Sequence, residues 1–327
     1  MVRTVPVVLV AGHLGVGKSS LVNHLLRRAE GTRIGVVVND FGAVGIDAML
    51  VAGQASAVSS LANGCLCCVT DADGLTALLA DLTAPAAGLD LVVVEASGLA
   101  EPRELVRLLL ATTDPHVAYG GLVVVVDAAD PRLDAAARAD LVVVNKIGAV
   151  PDPDAALARV RAVAGGAVLA TDHGAVDPSL LVEPPVRPRS AQLSFDDLVR
   201  DDAAAGHDRA HEHPHAGHDT VSFTSARPLD PARLAAFLEA GPRGVFRAKG
   251  IVRFPGARPF VVQTVGTAIR VEPAPRHLDE PGAAIVLIGV GLDAPALTAA
   301  LRDCVADAEP TEHALLAMLR YAPDAPT

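Results

Sequence analysis

Residues 12–19 read Gly12-His13-Leu14-Gly15-Val16-Gly17-Lys18-Ser19, which matches the phosphate-loop pattern G-x-x-x-x-G-K-[S/T] in full. The apolar run Val5 to Val10 precedes the loop and predicts a strand, and the segment Ser20 to Ala29 predicts a helix. Glycines let the backbone curl so that several N–H groups face a phosphate, and the helix N-terminus adds its dipole. The segment therefore predicts a nucleotide-binding loop, and the competing interpretation is a glycine-rich turn without a ligand.

The polar side chains of this loop have expected roles in binding a nucleoside triphosphate. We expect Lys18 to bridge the β- and γ-phosphates and Ser19 to offer its hydroxyl to Mg2+. Further nucleotide contacts are expected from the rest of the loop and the start of the helix, at Gly12, Gly15, Val16, Gly17 and Ser20.

Another predicted strand, Leu91 to Val94, ends in the carboxylate of Glu95. A carboxylate there could hold a magnesium-bound water or orient the attacking water, and Gly98 would let the backbone approach the γ-phosphate. The competing interpretation of Glu95 is a solvated cap of the strand. Asp127, which ends the next strand, is a weaker candidate for the same surroundings.

Short Val, Leu and Ile runs alternate with longer helical segments between Val5 and Ala170. Continuously apolar strands separated by helices predict an α/β fold, a P-loop nucleotide triphosphatase sheet that is parallel and covered by helices on both faces. Such sheets bind ligands beyond the carboxyl ends of their strands. The predicted strands are Val5–Val10, Ile34–Val38, Leu91–Val94, Leu122–Val126, Leu141–Val144 and Val168–Ala170.

Composition changes after Leu181, where a Pro-, Asp- and His-rich stretch begins. We therefore predict three parts: a P-loop nucleotide-binding domain at 1–182, a His-rich linker at 183–219, and a smaller C-terminal α+β domain at 220–327. In the last part we expect strands at Thr220–Thr224, Gly250–Phe254, Phe260–Val265 and Ala284–Ile288. We expect helices at Pro231–Glu239 and Pro295–Ala306.

Composition also limits the partners. A net charge of -11 and 3% aromatic residues argue against a general nucleic-acid surface, which needs clustered basic residues and often stacking rings. No apolar run approaches the roughly 18 to 20 residues that span a bilayer, and nothing in the sequence directs export. We therefore expect a cytoplasmic protein that binds neither nucleic acid nor membrane.

A base-recognition loop is predicted after the strand Leu141 to Val144. Asn145-Lys146-Ile147-Gly148 begins like the N-K-x-D motif that reads guanine, but Gly148 supplies no carboxylate. A hydrogen bond to a charged group is worth roughly 1.5 to 3 kcal/mol, so guanine preference is expected to weaken. Asp172, in the loop after the next strand, is an alternative acceptor. GTP is the expected nucleotide, and ATP stays open.

Three cysteines lie within four residues, at Cys65, Cys67 and Cys68. Clustered thiolates suit a soft or borderline cation such as Zn2+ or Cu+, with Asp40 or His13 as a further ligand. The competing interpretations are a buried hydrophobic turn and a redox-active disulfide. Cys304 stands alone in a predicted helix and is expected in the core.

The linker carries five histidines within a dozen residues, at His207, His211, His213, His215 and His218. Imidazoles bind zinc, nickel, cobalt and copper, but an unordered tract loses chain entropy on binding, so its affinity should be modest. The tract is expected to act either as a metal reservoir or as a solvated, pH-responsive linker.

Together these segments resemble the CobW-like P-loop GTPases, a family of cytosolic metallochaperones and metal-insertion factors. The resemblance implies GTP hydrolysis linked to the binding and transfer of Zn2+, or of Co2+ for cobalamin synthesis, with a client metalloprotein as recipient. The segments that carry it are Gly12–Ser19, Asn39–Gly42 with Ile46–Asp47, Asn63–Cys68, Glu95–Gly98 with Pro102, Asn145–Lys146, Phe246–Gly250, Gln263–Gly266 and Ile288–Gly289.

The chain also departs from the family pattern. Asp40 stands where the family usually has Glu, Ala43 where a second acidic residue is common, and Gly148 where the guanine-reading Asp belongs. Asp40 still joins Lys18 and Glu95 in the predicted catalytic set. We expect the loop from Asn39 to Asp47 to connect the γ-phosphate with the metal site. Two rival functions are a P-loop kinase acting on a small metabolite and a regulatory module whose cysteines sense redox state.

Overall fold

The computed structural model describes residues 3–29, 31–39, 72–96, 102–181, 218–274, 282–306 and 315–322. These residues form one six-stranded and one five-stranded sheet. The predicted linker 183–219 lies outside the described ranges except for its last two residues, so the two boundaries between the three predicted parts stay predictions. In these ranges no helix is long and apolar enough to cross a bilayer.

The first sheet is parallel at every pairing and has the order β2-β3-β1-β4-β5-β6, which confirms the predicted parallel sheet. Because β1 lies between β3 and β4, the loop that follows β1 emerges beside the carboxyl ends of both neighbours. The strands are β1 Val5–Ala11, β2 Ile34–Asn39, β3 Leu91–Ala96, β4 Val117–Asp127, β5 Leu141–Asn145 and β6 Ala167–Ala170.

Helices cover both faces of this sheet because successive strand residues point to opposite sides. Val7 and Leu9 of β1 belong to one apolar cluster, and Val8 and Val10 belong to the other. The first cluster includes side chains from the helices Ala72–Thr83, Pro102–Ala111 and Pro153–Arg161. The second includes side chains from the helices Lys18–Arg28 and Pro178–Leu181.

The second sheet is antiparallel at every pairing and has the order β10-β9-β8-β11-β7. Its strands are β7 Asp219–Ser225, β8 Val245–Arg253, β9 Pro259–Val265, β10 Ala268–Pro273 and β11 Ala283–Gly289. Leu234, Leu297 and Met318 join its core from the helices Pro231–Glu239, Ala294–Asp303 and Leu316–Leu319. This arrangement confirms the predicted α+β class of the C-terminal part.

Three strands differ from the sequence-based prediction; one of them, β8, begins at Val245 rather than at the predicted Gly250, because Arg247 and Lys249 interrupt its apolar pattern. β4 was expected to begin at Leu122 and begins at Val117, and its register with β1 shifts between Val7 and Val8. Gly120 and Gly121 interrupt the apolar pattern there, and glycine inside a strand typically marks such an irregularity. β10 was not predicted, although it pairs with β9 across the two-residue turn Gly266-Thr267, because its residues mix apolar and charged side chains.

The C-terminal sheet contacts the first sheet through buried groups. Phe246 of β8 is 1% exposed and lies in the apolar cluster that also contains the helix Lys18–Arg28. The Arg247 guanidinium donates to the Leu181 carbonyl oxygen at 3.0 Å. A buried apolar contact and a buried hydrogen bond therefore connect the two sheets.

Asp140, just before β5, is a buried carboxyl group at this contact. Its oxygen accepts hydrogen bonds from the Leu122 backbone N–H at 2.8 Å and from the Tyr119 hydroxyl at 2.5 Å. Burial raises the pKa of Asp140, although these hydrogen bonds oppose the shift. A Cβ atom on Gly266 would lie 1.6 Å from Asp140 Oδ1, so the turn between β9 and β10 lies directly against this carboxyl group.

We predict that Gly266→Ala destabilises the protein more than Gly256→Ala. Both glycines have left-handed φ angles, +54° and +70°, so each substitution should cost about 1 to 2 kcal/mol through backbone strain. Only at Gly266 would the new methyl group also displace Asp140, since nothing lies within 4 Å of a Cβ on Gly256. Urea unfolding of both variants measures the difference, and equal losses of unfolding free energy would contradict the contact.

Candidate functional site

The phosphate loop lies at the carboxyl edge of the first sheet, between β1 and the helix Lys18–Arg28. Its glycines are required by close approach as well as by their positive φ angles. A Cβ atom on Gly12 would lie 2.3 Å from the Val125 carbonyl oxygen, and one on Gly17 would lie 2.2 Å from Asn145 Nδ2. Gly15 is different, because nothing lies within 4 Å of its Cβ position.

Lys18 is the first residue of the helix and is 8% exposed. Its ammonium group donates to the carbonyl oxygens of Gly12 at 3.0 Å and His13 at 3.1 Å, so it lies across the loop. The first turn of this helix contains no acidic residue, so no acidic side chain of the helix itself offsets the positive end of its dipole. The loop is therefore electrostatically suited to a polyphosphate.

Ser19 and Glu95 meet beside the loop. The Ser19 hydroxyl donates to Glu95 Oε1 at 3.1 Å, and Glu95 is 6% exposed. Glu95 reaches this position because β3 pairs with β1 in parallel register, with Glu95 opposite Val10. A hydroxyl and a carboxylate are the hard oxygen ligands that Mg2+ prefers, so these two residues fit a magnesium site. Sequence reasoning predicted both residues at this site.

Asn145 joins the phosphate loop to the loop after β6. Its side chain is buried; Nδ2 donates to the Val16 carbonyl oxygen at 2.8 Å, and Oδ1 accepts from the Gly174 backbone N–H at 3.0 Å. Because an unbonded buried amide is costly, both bonds constrain the segments that supply them. Asn145 therefore contacts the protein on both sides, a positioning role that its motif alone did not indicate.

Lys146, the residue after Asn145, lies beside the phosphate loop at Gly15. Its ammonium group donates to the Gly15 carbonyl oxygen at 2.8 Å and to Asp127 Oδ2 at 2.6 Å. Burial acts to raise the pKa of Asp127, but the hydrogen bonds from Lys146 and from the Ala129 backbone outweigh it and lower the pKa. Asp127 thus positions Lys146, a role that sequence reasoning missed. The signal for this role is the place of Asp127 at the end of β4, opposite Asn145 in the β4–β5 pairing and so next to Lys146.

The remaining predicted nucleotide-binding residues occupy different parts of this site. Val16 is 7% exposed and anchors the loop in the core, whereas Ser20 is exposed on the first turn of the helix. His13 Nε2 lies 3.8 Å from Asp134 Oδ2. Gly98 lies outside the described residues.

A cavity of about 630 Å³ adjoins the first half of the phosphate loop at Gly12 and His13. Basic side chains dominate the charged groups of its wall, which includes one acidic residue, Asp134. In a chain with a net charge of -11, such local positive charge favours an anionic ligand at this end of the loop. The arginines are Arg103, Arg107, Arg132 and Arg138.

Most of the predicted metal ligands fall outside the described ranges: Asp40, Cys65, Cys67, Cys68, His207, His211, His213 and His215. Of the histidine tract only His218 is described, and its buried Nδ1 has no hydrogen-bond partner in the described part of the chain. Within that part, no group of three or more His, Cys, Asp or Glu residues could hold a metal ion. The proposed metal site therefore rests on the sequence.

Cys304 is a core residue, as predicted. It is 3% exposed at the C-terminal end of the helix Ala294–Asp303, and its Sγ lies 3.3 Å from the Ala300 carbonyl oxygen. Burial raises the pKa of its thiol to about 11, so the thiolate form that binds metals is disfavoured at neutral pH.

The parallel sheet, the phosphate loop and the Ser19–Glu95 pair define a P-loop nucleotide-binding protein that carries a C-terminal α+β domain. This chain belongs to the CobW family: residues 6–167 match the CobW/HypB/UreG nucleotide-binding domain, and residues 218–305 match the cobalamin synthesis protein cobW C-terminal domain. The resemblance expected from the motifs is thereby confirmed.

Similar proteins include zinc chaperones. The zinc chaperone CobW of Pseudomonas aeruginosa is 32% identical over 92% of this chain and 92% of its own length. The zinc chaperone YeiR of Escherichia coli is 30% identical over 76% of this chain and 82% of its own. The crystal structure of the Zn(II)-bound YjiA GTPase from E. coli is 21% identical, covers 93% of this chain and all of its own, and superposes with a TM-score of 0.41.

We predict that Gly17→Ala weakens nucleotide binding much more than Gly15→Ala. Both residues have left-handed φ angles, but only the methyl group at position 17 would collide with the Asn145 amide. Loss of that buried hydrogen-bonded amide costs about 1 to 3 kcal/mol, so the dissociation constant for nucleotide should rise roughly tenfold or more relative to Gly15→Ala. Isothermal titration with the diphosphate measures both variants, and indistinguishable constants would contradict the bracing role of Asn145.

Proposed function

We propose that this protein is a cytoplasmic, GTP-hydrolysing metallochaperone that carries Zn2+ as its cargo to a client metalloprotein. The observation that carries the proposal is the position of Lys18 across the phosphate loop, beside the Ser19–Glu95 contact, in a CobW-family chain. Membership of a family whose relatives include zinc chaperones supports zinc over cobalt as cargo.

The phosphate end of the site is built to hold a triphosphate and to stabilise its hydrolysis. Lys18 is held over the loop by two carbonyl oxygens and would contact the β- and γ-phosphates. Ser19 and Glu95 would hold Mg2+, which neutralises charge on the leaving diphosphate when it is bound. The buried Glu95 carboxylate would also orient the attacking water.

The cargo site is proposed at Cys65, Cys67 and Cys68, with Asp40 as a further ligand. Thiolates suit Zn2+, and a site with an exchangeable ligand position suits a carrier better than a closed four-thiolate site. Cys304 does not compete for this role, because its buried thiol has a raised pKa. The histidines from His207 to His218 would supply a weaker collecting arm.

The β2–β3 pairing supports coupling between hydrolysis and metal handling. Val38 pairs with Glu95 and Asn39 pairs with Ala96, so β2 ends beside the strand end that carries Glu95. The chain runs from this strand end through Asp40 toward the cysteines, and we assign to this segment the coupling between the γ-phosphate and the metal. Triphosphate and diphosphate would then favour different arrangements of this loop and different metal affinities.

We predict that Glu95→Gln raises the Mg2+ concentration needed for half-maximal hydrolysis by about tenfold or more. The substitution keeps the size of the side chain and an acceptor for Ser19, but it removes the charge that attracts the cation. Glu239→Gln is the control, because Glu239 is an exposed residue of the C-terminal helix Pro231–Glu239 that pairs with Arg320. Magnesium titrations of phosphate release measure the effect. Equal half-maximal Mg2+ concentrations for Glu95→Gln and wild type would exclude Glu95 from the magnesium site.

We predict that changing Cys65, Cys67 and Cys68 together to Ser removes stoichiometric zinc, because hydroxyl groups replace the soft thiolate ligands. Basal nucleotide hydrolysis should stay within about twofold of wild type, because these positions lie far in sequence from the predicted phosphate contacts. Metal analysis after anaerobic purification, with hydrolysis assayed on the same samples, measures both properties. Cys304→Ala is the matched control and should keep its zinc. Unchanged zinc content in the triple variant would reject the cargo site, and preferential retention of cobalt by wild type would identify the other cargo.

A further inference from the structure

The loop after β6 places a carboxylate against the position where the guanine-reading motif lacks one. Gly148 lies in the short 3-10 turn Ile147–Ala149, and its backbone N–H donates to Asp172 Oδ1 at 3.0 Å. A Cβ atom built on Gly148 would lie 3.0 Å from Asp172 Oδ2. The Asp172 carboxylate therefore occupies the space in which a side chain at position 148 would begin.

Backbone hydrogen bonds hold this loop firmly in place. Thr171 is 4% exposed; its N–H donates to the Val144 carbonyl oxygen, and its own carbonyl oxygen accepts from the Ile147 N–H. Gly174, two residues after Asp172, donates to the same Asn145 side chain that braces the phosphate loop. Asp172 is thus fixed relative to both the base-recognition turn and the phosphate loop.

The chemistry of this carboxylate matches guanine and opposes adenine. Guanine presents two neighbouring donors, N1–H and the N2 amino group, on one edge, whereas adenine presents an acceptor and one donor on its corresponding edge. An ionised carboxylate only accepts hydrogen bonds and has about four lone-pair sites, so Asp172 can accept from Gly148 and still accept from two base donors. Its side chain is exposed, which leaves it accessible to a ligand.

We propose that Asp172 is the specificity-determining residue for guanine, in place of the aspartate that the loop after β5 lacks at position 148. The proposal rests on the proposed function as a GTP hydrolase and names the group that selects the base. Guanine recognition is thereby divided between two loops, with Lys146 from one and Asp172 from the other. Both are connected to the phosphate loop, through Gly15 and Asn145.

The test is the variant Asp172→Asn, with dissociation constants measured for GTP, xanthosine triphosphate and ATP. Asparagine keeps an oxygen for the Gly148 N–H, so the turn should survive, but it replaces one acceptor by a donor. The new donor cannot accept a hydrogen bond from the guanine N2 amino group. It can donate one to the carbonyl oxygen that xanthine has at the same position. We expect GTP affinity to fall about 10- to 100-fold and xanthosine triphosphate affinity to rise by a similar factor.

A second pair of variants tests the same space. Gly148→Asp alone would bring two carboxylates together and should weaken GTP binding. Gly148→Asp combined with Asp172→Gly should bind GTP more tightly than Asp172→Gly alone, because the carboxylate returns from the neighbouring position. Asp154→Asn, on the exposed surface of the helix Pro153–Arg161, is the control and should match wild type for all three nucleotides.

The outcomes separate this proposal from the proposed function. If Asp172→Asn loses GTP affinity without gaining affinity for xanthosine triphosphate, Asp172 merely caps the turn and base reading is rejected. If the variant binds all three nucleotides like wild type while wild type prefers GTP, base reading by Asp172 is rejected and GTP hydrolysis stands. If wild type binds ATP as tightly as GTP, guanine specificity itself fails and both proposals fall.

Discussion

The site depends on one buried amide, that of Asn145. A buried amide is costly unless its donor and acceptor are both bonded, and Asn145 satisfies them with the Val16 carbonyl oxygen and the Gly174 N–H. The phosphate loop must therefore lie close enough to Asn145 that position 17 has no space for a side chain. Loop geometry, the identity of Gly17 and the position of the loop after β6 all follow from this constraint.

The same constraint organises the charged groups around the loop. Lys18 crosses the loop to two carbonyl oxygens, while Lys146 reaches Gly15 and is held in place by Asp127. Two ammonium groups thus lie against a short segment, and the helical turn that follows it contains no acidic residue of its own. These hydrogen bonds hold both ammonium groups against the loop, so a polyphosphate would meet a preorganised set of donors and charges.

The contact between the two sheets has a different physical character. Phe246 supplies apolar burial, and the turn at Gly266 lies against a carboxyl group whose pKa burial raises. Because the pKa of Asp140 in the folded state lies above its value in the unfolded state, the folded state binds more protons at pH values between the two. The contribution of Asp140 to stability is therefore largest below the unfolded pKa and decreases as pH rises through the folded pKa.

Local sequence alone determined the α/β fold, the phosphate loop, the strand-end Glu95 and the core position of Cys304. These follow from short-range patterns: apolar runs define strands, and the glycine spacing defines the loop. It did not reveal β10 or the early starts of β4 and β8, because charged residues and paired glycines obscure those strands. Only the tertiary structure decided that Asp127 serves Lys146, that Asn145 braces two loops, and that Asp172 lies against Gly148. Each of these contacts joins different strand ends, and their distances depend on sheet order and register, which no local pattern encodes.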